Sequence, residues 1–325
     1  MAHRRNRLLF AVGLGSLIVA TLGVAGSRAA NWPNHPVRFL VTLGAGSGAD
    51  IGARLFADRL SRKWSEPVIV ENRPGGDGLL AINAFVTAHD DHVLLFSPAA
   101  SFTAHPYLHS GLPYKPSDLV PIAQVSNTVV TVAVPADMKV NSVKELVALA
   151  RAEPGKLNWA GVTGALDFMF AGWLNSEHLN ISKVPYRNPV DAAKDLGEGR
   201  VQVYEASLAI VQPQLAAGKV KLLAVTNTQR APAISAIPTV REAGYPALTL
   251  DGLVGLFGPT GMPPELRKRI AADVSAVADK TIADRMTTTG QILNVGGPDD
   301  LEKSIDDQRA KIAAFAKLLG IKPMQ

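Results

Sequence analysis

The sequence predicts a two-domain α/β fold, because short apolar runs alternate with segments of helical periodicity along most of the chain. The runs at 37–43, 68–71 and 93–96 have the length and composition of buried strands, and turn residues follow each of them. Between the first two runs, residues 49–64 repeat apolar side chains at helical spacing. Strand, helix and strand in this order form a right-handed crossover, so we expect a largely parallel sheet with helices on both faces.

The second domain is predicted where the same alternation starts again. Val129–Val134 is an apolar run, and Ser142 with Glu145 three residues later is a capping box that opens a helix. Three further strands are expected, at 157–160, 201–204 and 221–226.

The final part of the chain is predicted to be helical from residue 264 to its end, after the Gly- and Pro-rich segment 258–264. Two sheet segments followed by a helical return indicate that the first domain is interrupted by the second. We therefore expect a first domain at 31–129 plus 253–325 and a second domain at 130–252. The two crossings, near residues 130 and 252, would form a hinge.

The first 29 residues have the pattern of a secretory signal peptide. A basic stretch at 3–7 precedes an uncharged, mostly apolar stretch at 8–26, and small residues flank Arg28. We expect export to the periplasm with cleavage after Ala29. The alternatives are an uncleaved anchor helix and, from Arg4 and Arg5, a twin-arginine signal.

Charge and cysteine content exclude several classes of function. The chain has 33 Lys and Arg against 28 Asp and Glu. Four of the Arg lie in the leader, which leaves 29 bases against 28 acids and no argument for a nucleic-acid partner. There is no Cys, which excludes disulfides, thiolate catalysis and cysteine metal sites. A soluble monomer is expected.

A Gly-rich turn between the first predicted strand and helix is the strongest candidate ligand site. Such a turn exposes successive N–H groups at a helix N-terminus, which favours an anion. Its residues are Leu43, Gly44, Ala45, Gly46, Ser47, Gly48, Ala49 and Asp50. Asp50 can cap the turn or reach a ligand donor.

Enzyme functions are weaker alternatives. A nucleotide-dependent oxidoreductase would use this loop with Glu71, but the third Gly of G-x-G-x-x-G is replaced by Ala49. Ser47 has Ala45 and Ala49 two residues away on either side, where the G-x-S-x-G pattern of a nucleophile elbow requires glycines. His89–His92 fits a polar turn, and Pro106 is expected to disrupt the helix that would bring His105 and His109 together. We expect no catalytic residue, no cofactor and no metal; a structural or adhesive domain remains the third possibility.

Nearly the whole mature chain, from about Trp32 to Ile321, resembles the Bug-type extracytoplasmic solute receptors of tripartite tricarboxylate transporters. The resemblance is carried by motifs in a constant order. They are Trp32–Arg38, the Gly-rich loop ending in Asp50 with Ala53-Arg54, Val70–Gly76, Leu112–Tyr114, Ser142–Leu146, Pro154–Asn158, Val184–Tyr186, Leu223–Thr226 and Ile237–Gly244.

The resemblance implies a periplasmic-binding-protein fold of the Venus-flytrap, type II-like kind, with two α/β domains and two hinge crossings. It implies a small carboxylate or amino-acid-like ligand, bound between the domains and delivered to membrane transporter subunits or a sensor. By position, the site adds to the Gly-rich loop three further groups. They are Ser97 and Ser101, then Thr163, Gly164, Ala165 and Asp167, then Glu205, Ala206 and Ser207.

The sequence departs from the family pattern at three of these places. Ala49 stands where relatives carry a hydroxyl, Gly161–Phe168 differs from the usual second-domain loop, and Ala206 replaces a frequent Asp beside Glu205. If Asp167 or Glu205 faces the cleft ionised, like-charge repulsion would disfavour citrate-like ligands. The alternative is that Asp167 caps the helix beginning at Phe168 and points away.

Overall fold

The computed structural model describes residues 32–162 and 164–324, without the side chains of Ala100 and Ser101. The predicted signal peptide and Thr163 lie outside the described residues. The strands are β1 (Val37–Val41), β2 (Val68–Asn72), β3 (Val93–Pro98), β4 (Val120–Thr128), β5 (Val130–Pro135), β6 (Asn158–Val162), β7 (Ser182–Tyr186), β8 (Tyr204–Ser207), β9 (Val220–Val225), β10 (Gly252–Gly258) and β11 (Gln291–Gly296). The helices are α1 (Gly48–Trp64), α2 (Leu79–Ala88), α3 (Ala99–Leu108), α4 (Val143–Ala152), α5 (Ala165–Ser176), α6 (Pro189–Gly197), α7 (Leu208–Ala216), α8 (Pro264–Val277), α9 (Lys280–Thr287) and α10 (Pro298–Leu318).

The larger sheet has the strand order β11-β4-β10-β3-β1-β2. Strand β1 is parallel to both β2 and β3, as expected for strands joined by crossover helices. The other pairs, β10 with β3, β10 with β4, and β11 with β4, are antiparallel. The expectation of a largely parallel sheet is therefore wrong outside the first three strands, because β10 re-enters this sheet from the second one in the opposite direction.

The second sheet is built from residues between the two crossings. Strands β8, β5 and β9 form an antiparallel group, and β6 is parallel to β7. A parallel bridge between Trp159 and Val203 joins β6 to the start of β8.

The chain crosses between the sheets at β4–β5 and again just before β10, and side chains tie the two crossings together. Asn227 accepts a hydrogen bond from the Val130 N–H (3.0 Å) and donates to the carbonyl of Thr128 (2.9 Å). The carboxylate of Asp251 accepts from both the N–H and the hydroxyl of Thr228 (3.1 and 2.9 Å). The crossings are therefore held side by side, although the domain limits at 130 and 252 stay a prediction.

Helices α5 and α10 pack closely over the second sheet. Trp173 and Phe170 of α5 are fully buried, and Ile312 and Phe315 of α10 belong to the same apolar cluster. A Cβ on Gly172 would lie 2.6 Å from the ring of Phe315, so a glycine is needed where the two helices meet.

Two local expectations are wrong. The chain is not helical from residue 264 to its end, because β11 forms the edge of the larger sheet; its half-buried pattern has no clear alternation in the sequence. Pro106 does not disrupt its helix, since α3 continues to Leu108. A proline this close to a helix end removes a single helical hydrogen bond.

Within the described residues, no helix is long and apolar enough to cross a membrane.

Candidate functional site

The Gly-rich loop is organised around the buried carboxylate of Asp50, whose exposed fraction is 2%. Ser47 is the N-cap of α1, and its hydroxyl accepts a hydrogen bond from the Asp50 N–H (3.2 Å). The Asp50 carboxylate accepts in return from the N–H of Gly46 (2.9 Å). Gly46 has a φ of +82°, a conformation that favours glycine. The loop is therefore a preformed turn at a helix N-terminus.

Two side chains from neighbouring elements complete the pairing of Asp50. Asn72, at the end of β2, donates to Asp50 Oδ1 (2.9 Å) and to the Leu43 carbonyl (3.0 Å). Arg54, one turn along α1, forms an ion pair with Asp50 (3.0 Å) and donates to Asn72 Oδ1 (2.9 Å). Burial opposes ionisation, but the hydrogen bonds from Gly46, Arg54 and Asn72 outweigh it and lower the pKa of Asp50. Asp50 thus shapes the loop as a carboxylate.

The loop also presents main-chain donors. No acceptor among residues 32–162 and 164–324 pairs with the N–H groups of Gly48 and Ala49, in the first turn of α1. A Cβ at Gly48 would overlap Nε2 of Gln291, so the glycine allows β11 to approach the helix start. At Gly44, by contrast, a Cβ would have no atom within 4 Å. The outer part of the loop therefore borders open space.

The serines predicted on the first sheet differ in position. Ser97 is the last but one residue of β3 and is fully buried. Its hydroxyl shares a hydrogen bond with Thr42 (3.1 Å) and also contacts the Pro98 carbonyl (3.1 Å). Its hydroxyl is thus used inside the first sheet. Ser101 lies in α3, and its side chain is outside the described part of the structure.

The predicted second-sheet loop leads into α5. Gly164 is the N-cap residue, with a φ of +140°, and Ala165 is buried in the first turn. A Cβ on Gly164 would lie 3.7 Å from Oδ1 of Asp77, which belongs to the 3₁₀ turn Gly76–Gly78 after β2. The start of α5 therefore lies next to a turn of the larger sheet.

Asp167 pairs with Lys183 of β7. Lys183 donates to Asp167 Oδ2 (2.6 Å), and the lysine also lies over the ring of Trp159 (5.5 Å to the centroid). Asp167 Oδ1 is buried and has no hydrogen-bond partner among the described residues. Burial raises the pKa of Asp167, and Lys183 offsets part of that rise. A Cβ on Gly161 would lie 2.5 Å from Oδ1, so only glycine leaves room for this carboxylate.

Glu205 of β8 is 4% exposed, and neither carboxylate oxygen has a hydrogen-bond partner among the described residues. Burial, together with the nearby charge of Asp167, raises the pKa of Glu205 well above its ordinary value. The carbonyl of its buried neighbour Ala206 accepts from the Thr131 hydroxyl (3.1 Å), and Ser207 is the N-cap residue of α7. Glu205 therefore lies inside the second sheet, where its surroundings favour the neutral form.

The same turn takes part in a polar cluster that the sequence did not predict. Asp77 contacts His105 and His109, both on or next to α3, and His105 is fully buried. The HxxxH spacing was visible in the sequence. The third member is 28 residues away from His105, and no local pattern connects it to the pair.

Comparisons with known proteins agree with this architecture. Residues 52–321 match the sequence model of the tripartite tricarboxylate transporter family receptors. The chain is 29% identical to a UPF0065 protein of Bordetella bronchiseptica, over 94% of this chain and 92% of that protein. It is similar to the structure of R. palustris Rpa4515 with adipate (26% identity, TM-score 0.77, covering 90% of this chain and 100% of the other).

A second solved structure, the periplasmic binding protein BugD, is 26% identical with a TM-score of 0.73, covering 90% of this chain and 100% of the other. The family match and the sheet topology confirm the predicted periplasmic-binding-protein fold. Members of this family are not enzymes but periplasmic receptors that capture solutes. The chain therefore belongs to the tripartite tricarboxylate transporter receptor family, and it is a periplasmic solute-binding receptor.

Proposed function

We propose that this receptor binds a small organic acid or amino-acid-like ligand between the Leu43–Asp50 loop and the start of α5. The single observation that carries the proposal is the preformed turn around Asp50, with the N–H groups of Gly48 and Ala49 at a helix N-terminus. Such a terminus stabilises a carboxylate through its N–H groups and its dipole. Rpa4515, a similar protein, was solved with adipate, which is a dicarboxylate.

The second sheet presents less negative charge to a ligand than two ionised acids, Asp167 and Glu205, would present. Asp167 is paired with Lys183, and burial favours the neutral form of Glu205. The repulsion that would disfavour citrate-like ligands is therefore weakened. We propose that ligand size and the donors of both loops, rather than net charge, select among organic acids, and that Gly164 and Ala165 supply main-chain donors.

We propose further that the leader is cleaved after Ala29, and that the receptor acts as a monomer. It would close on its ligand about the two crossings near residues 130 and 252 and deliver the ligand to membrane subunits of a transporter without chemical change. Domain limits at 31–129 plus 253–325 and at 130–252 are part of this proposal. Small-angle scattering with and without ligand tests the closure, and the intact mass of periplasmic protein tests the cleavage.

Binding is tested by calorimetry with adipate, malate, citrate and glutamate, and the loop by Gly44→Phe. A Cβ at Gly44 meets no atom within 4 Å and its φ is not in the left-handed region, so a phenyl group can block the loop without unfolding it. We expect at least one of these acids to bind, and G44F to weaken that binding at least tenfold.

Ile69→Phe is the matched control, because Ile69 is 47% exposed on the edge strand β2, level with Arg38 rather than with the loop. It should bind like the unchanged protein. Failure of every acid to bind would contradict the ligand class, whereas equal affinity of G44F and I69F would contradict the loop as the binding site.

A further inference from the structure

The strongest unassigned cluster of side chains consists of Asp77, His105 and His109. His105 and His109 stand one helical turn apart at the end of α3, where α3 continues through Pro106. Both Nε2 atoms face Oδ2 of Asp77, at 3.6 Å for His105 and 3.4 Å for His109. The three ligand atoms all lie within 4.8 Å of one another. Two imidazoles and a carboxylate thus converge on one point.

The separations between the rings and the carboxylate match the spacing of ligands around a metal ion. Good N–H···O bonds measure about 2.7–3.2 Å, and both contacts are longer than that, although the His109 contact still serves as a weak hydrogen bond. Zinc binds His nitrogen and carboxylate oxygen at about 2.0–2.2 Å, so two ligands of a tetrahedral site lie roughly 3.3–3.6 Å apart. The observed 3.4 and 3.6 Å agree with that spacing.

A supporting residue can orient His105 for metal binding. Tyr114 Oη lies 2.8 Å from His105 Nδ1. With Nδ1–H donating to this neutral hydroxyl, Nε2 offers its lone pair on the Asp77 side.

The other tautomer of His105 has a partner as well. Its Nε2 lies 3.0 Å from the main-chain carbonyl of Asp77, so a proton on Nε2 can be donated there while the Tyr114 hydroxyl donates to Nδ1. This tautomer satisfies the ring when no metal is bound. A metal ion would replace the Nε2 proton, and the Tyr114 hydroxyl would then switch from donor to acceptor.

In a second histidine cluster, formed by His35, Asp90 and His92, the hydrogen bonds of His92 oppose metal binding. Both ring nitrogens of His92 are already engaged, Nε2 with the Asn34 N–H (3.2 Å) and Nδ1 with Asp91 (2.7 Å). The ligand atoms of this cluster also lie within 4.8 Å of one another, but the rings of His35 and His92 are stacked, and a metal ion would have to displace the Asn34 N–H from His92 Nε2. This cluster is therefore a natural internal control.

We propose that Asp77, His105 and His109 form a zinc-binding site at the edge of the cleft. Two imidazole ligands select a first-row transition ion of the zinc type over Ca²⁺ or Mg²⁺, which prefer oxygen ligands. The side chains of Asp77 and His109 are 24% and 26% exposed, so a fourth position opens towards solvent and the start of α5. A water molecule fills that position, or a donor atom of a solute in the cleft. The site does not depend on the carboxylate specificity proposed above.

The test is a Zn²⁺ titration of the full chain after treatment with EDTA, followed by calorimetry and by metal analysis of dialysed protein. We expect one Zn²⁺ per chain. His109→Ala and Asp77→Asn each remove one ligand at a partly exposed position, and we expect each to weaken binding by roughly a hundredfold or more. Tyr114→Phe keeps all three ligands and should weaken binding by about 10- to 100-fold.

Two matched controls are His35→Asn, in the second cluster, and His178→Asn, at an exposed position. Both should leave zinc affinity unchanged. Replacement of Zn²⁺ by Co²⁺ should produce the intense visible bands of a four-coordinate site, and H109A should abolish them. Absence of stoichiometric zinc, full affinity in both H109A and D77N, or loss of binding in H35N would each overturn the proposal. Thermal unfolding of every variant identifies any that has failed to fold.

Discussion

Asp50 and Glu205 are both buried acids near the ends of strands, but their surroundings are opposite. Asp50 is 2% exposed and accepts hydrogen bonds from Gly46, Arg54 and Asn72. Glu205 is 4% exposed, and no donor among the described residues reaches either of its oxygens. The pKa of Asp50 is lowered and that of Glu205 is raised. Burial alone therefore does not decide the charge of an acid, because the donors around it do.

The comparison also separates two ways in which a strand end is used. The first sheet uses its acid to shape a loop of main-chain donors. The second sheet buries Glu205 where the neutral form is favoured, and pairs the outer acid, Asp167, with Lys183. Three predictions test this difference, from the largest expected effect to the smallest.

The largest effect is expected from Asp50→Ala, which removes the acceptor of three donors. We expect a loss of about 3 kcal/mol in the free energy of unfolding, because a buried hydrogen-bonded charge is being removed and its partners lose their acceptor. Urea denaturation at neutral pH measures it. Asp58→Ala, on an exposed pair with Arg62 in the same helix, should change stability by less than about 0.5 kcal/mol.

The pH dependence of this effect has a definite sign. Because the folded pKa of Asp50 is lowered, its contribution is fully present above the ordinary Asp pKa and is lost as pH falls through the folded value. The difference between D50A and the unchanged protein should therefore shrink in acid. A difference that is constant with pH would contradict the ionised role of Asp50.

Glu205→Gln is expected to stabilise the folded protein at high pH, whereas Asp50→Ala is expected to destabilise it. The folded pKa of Glu205 is raised by burial and by Asp167, so the stability linked to its protonated form is complete below the ordinary Glu pKa. That stability is lost as pH rises through the folded value. E205Q cannot ionise, so we expect it to be more stable than the unchanged protein by about 1 kcal/mol at pH 9 and equal to it near pH 5.

Melting temperatures at pH 5, 7 and 9 measure this effect, and a shift of about 2 °C corresponds to the expected change. Glu198→Gln, at an exposed position beside Arg200, is the control and should show no such rise with pH. If E205Q were less stable than the unchanged protein at every pH, Glu205 would have an ionised partner, and the comparison with Asp50 would fail.

The smallest effect is expected from Lys183→Met. The lysine is 44% exposed, so solvent screens its pair with Asp167, and we expect a loss of about 0.5–1 kcal/mol. The double variant Lys183→Met with Asp167→Asn should recover most of this loss, because it no longer leaves an unpaired acid. Urea denaturation measures the free energy of unfolding of each variant. If the loss in the double variant equalled the sum of the losses in the two single variants, the pair would contribute nothing to stability.

Local patterns in the sequence predicted the elements whose signals are local. The apolar runs at β1, β2 and β3 and the turn at 43–50 were all predicted, and Ser142 caps α4 as its spacing indicates. Strands β4, β7 and β11 were missed, and β8 was placed at 201–204 instead of Tyr204–Ser207. Strand β11 lies at an edge with most residues half-buried, so burial imposes no regular alternation on it.

The candidate site likewise has features that local sequence predicted and features that only the tertiary structure revealed. The family motifs and the Gly-rich turn indicated where a ligand would bind, and that assignment stays a prediction. Whether Asp167 caps its helix was left open, and the structure pairs it with Lys183, which is 16 residues away. Arg54 and Asn72 belong to the family motifs, but their contacts with Asp50 depend on the packing of α1 against β2.

The sequence by itself determined the fold class, the family and the position of the Gly-rich turn, because these depend on periodicity, turn residues and motif order along the chain. The charge state of Asp50, Asp167 and Glu205 was decided only by the tertiary structure. Ionisation depends on which donors and charges surround a carboxyl group in space, and those come from distant segments. The meeting of Asp77 with His105 and His109 has the same cause, because the turn after β2 and the end of α3 become neighbours only when the larger sheet has formed.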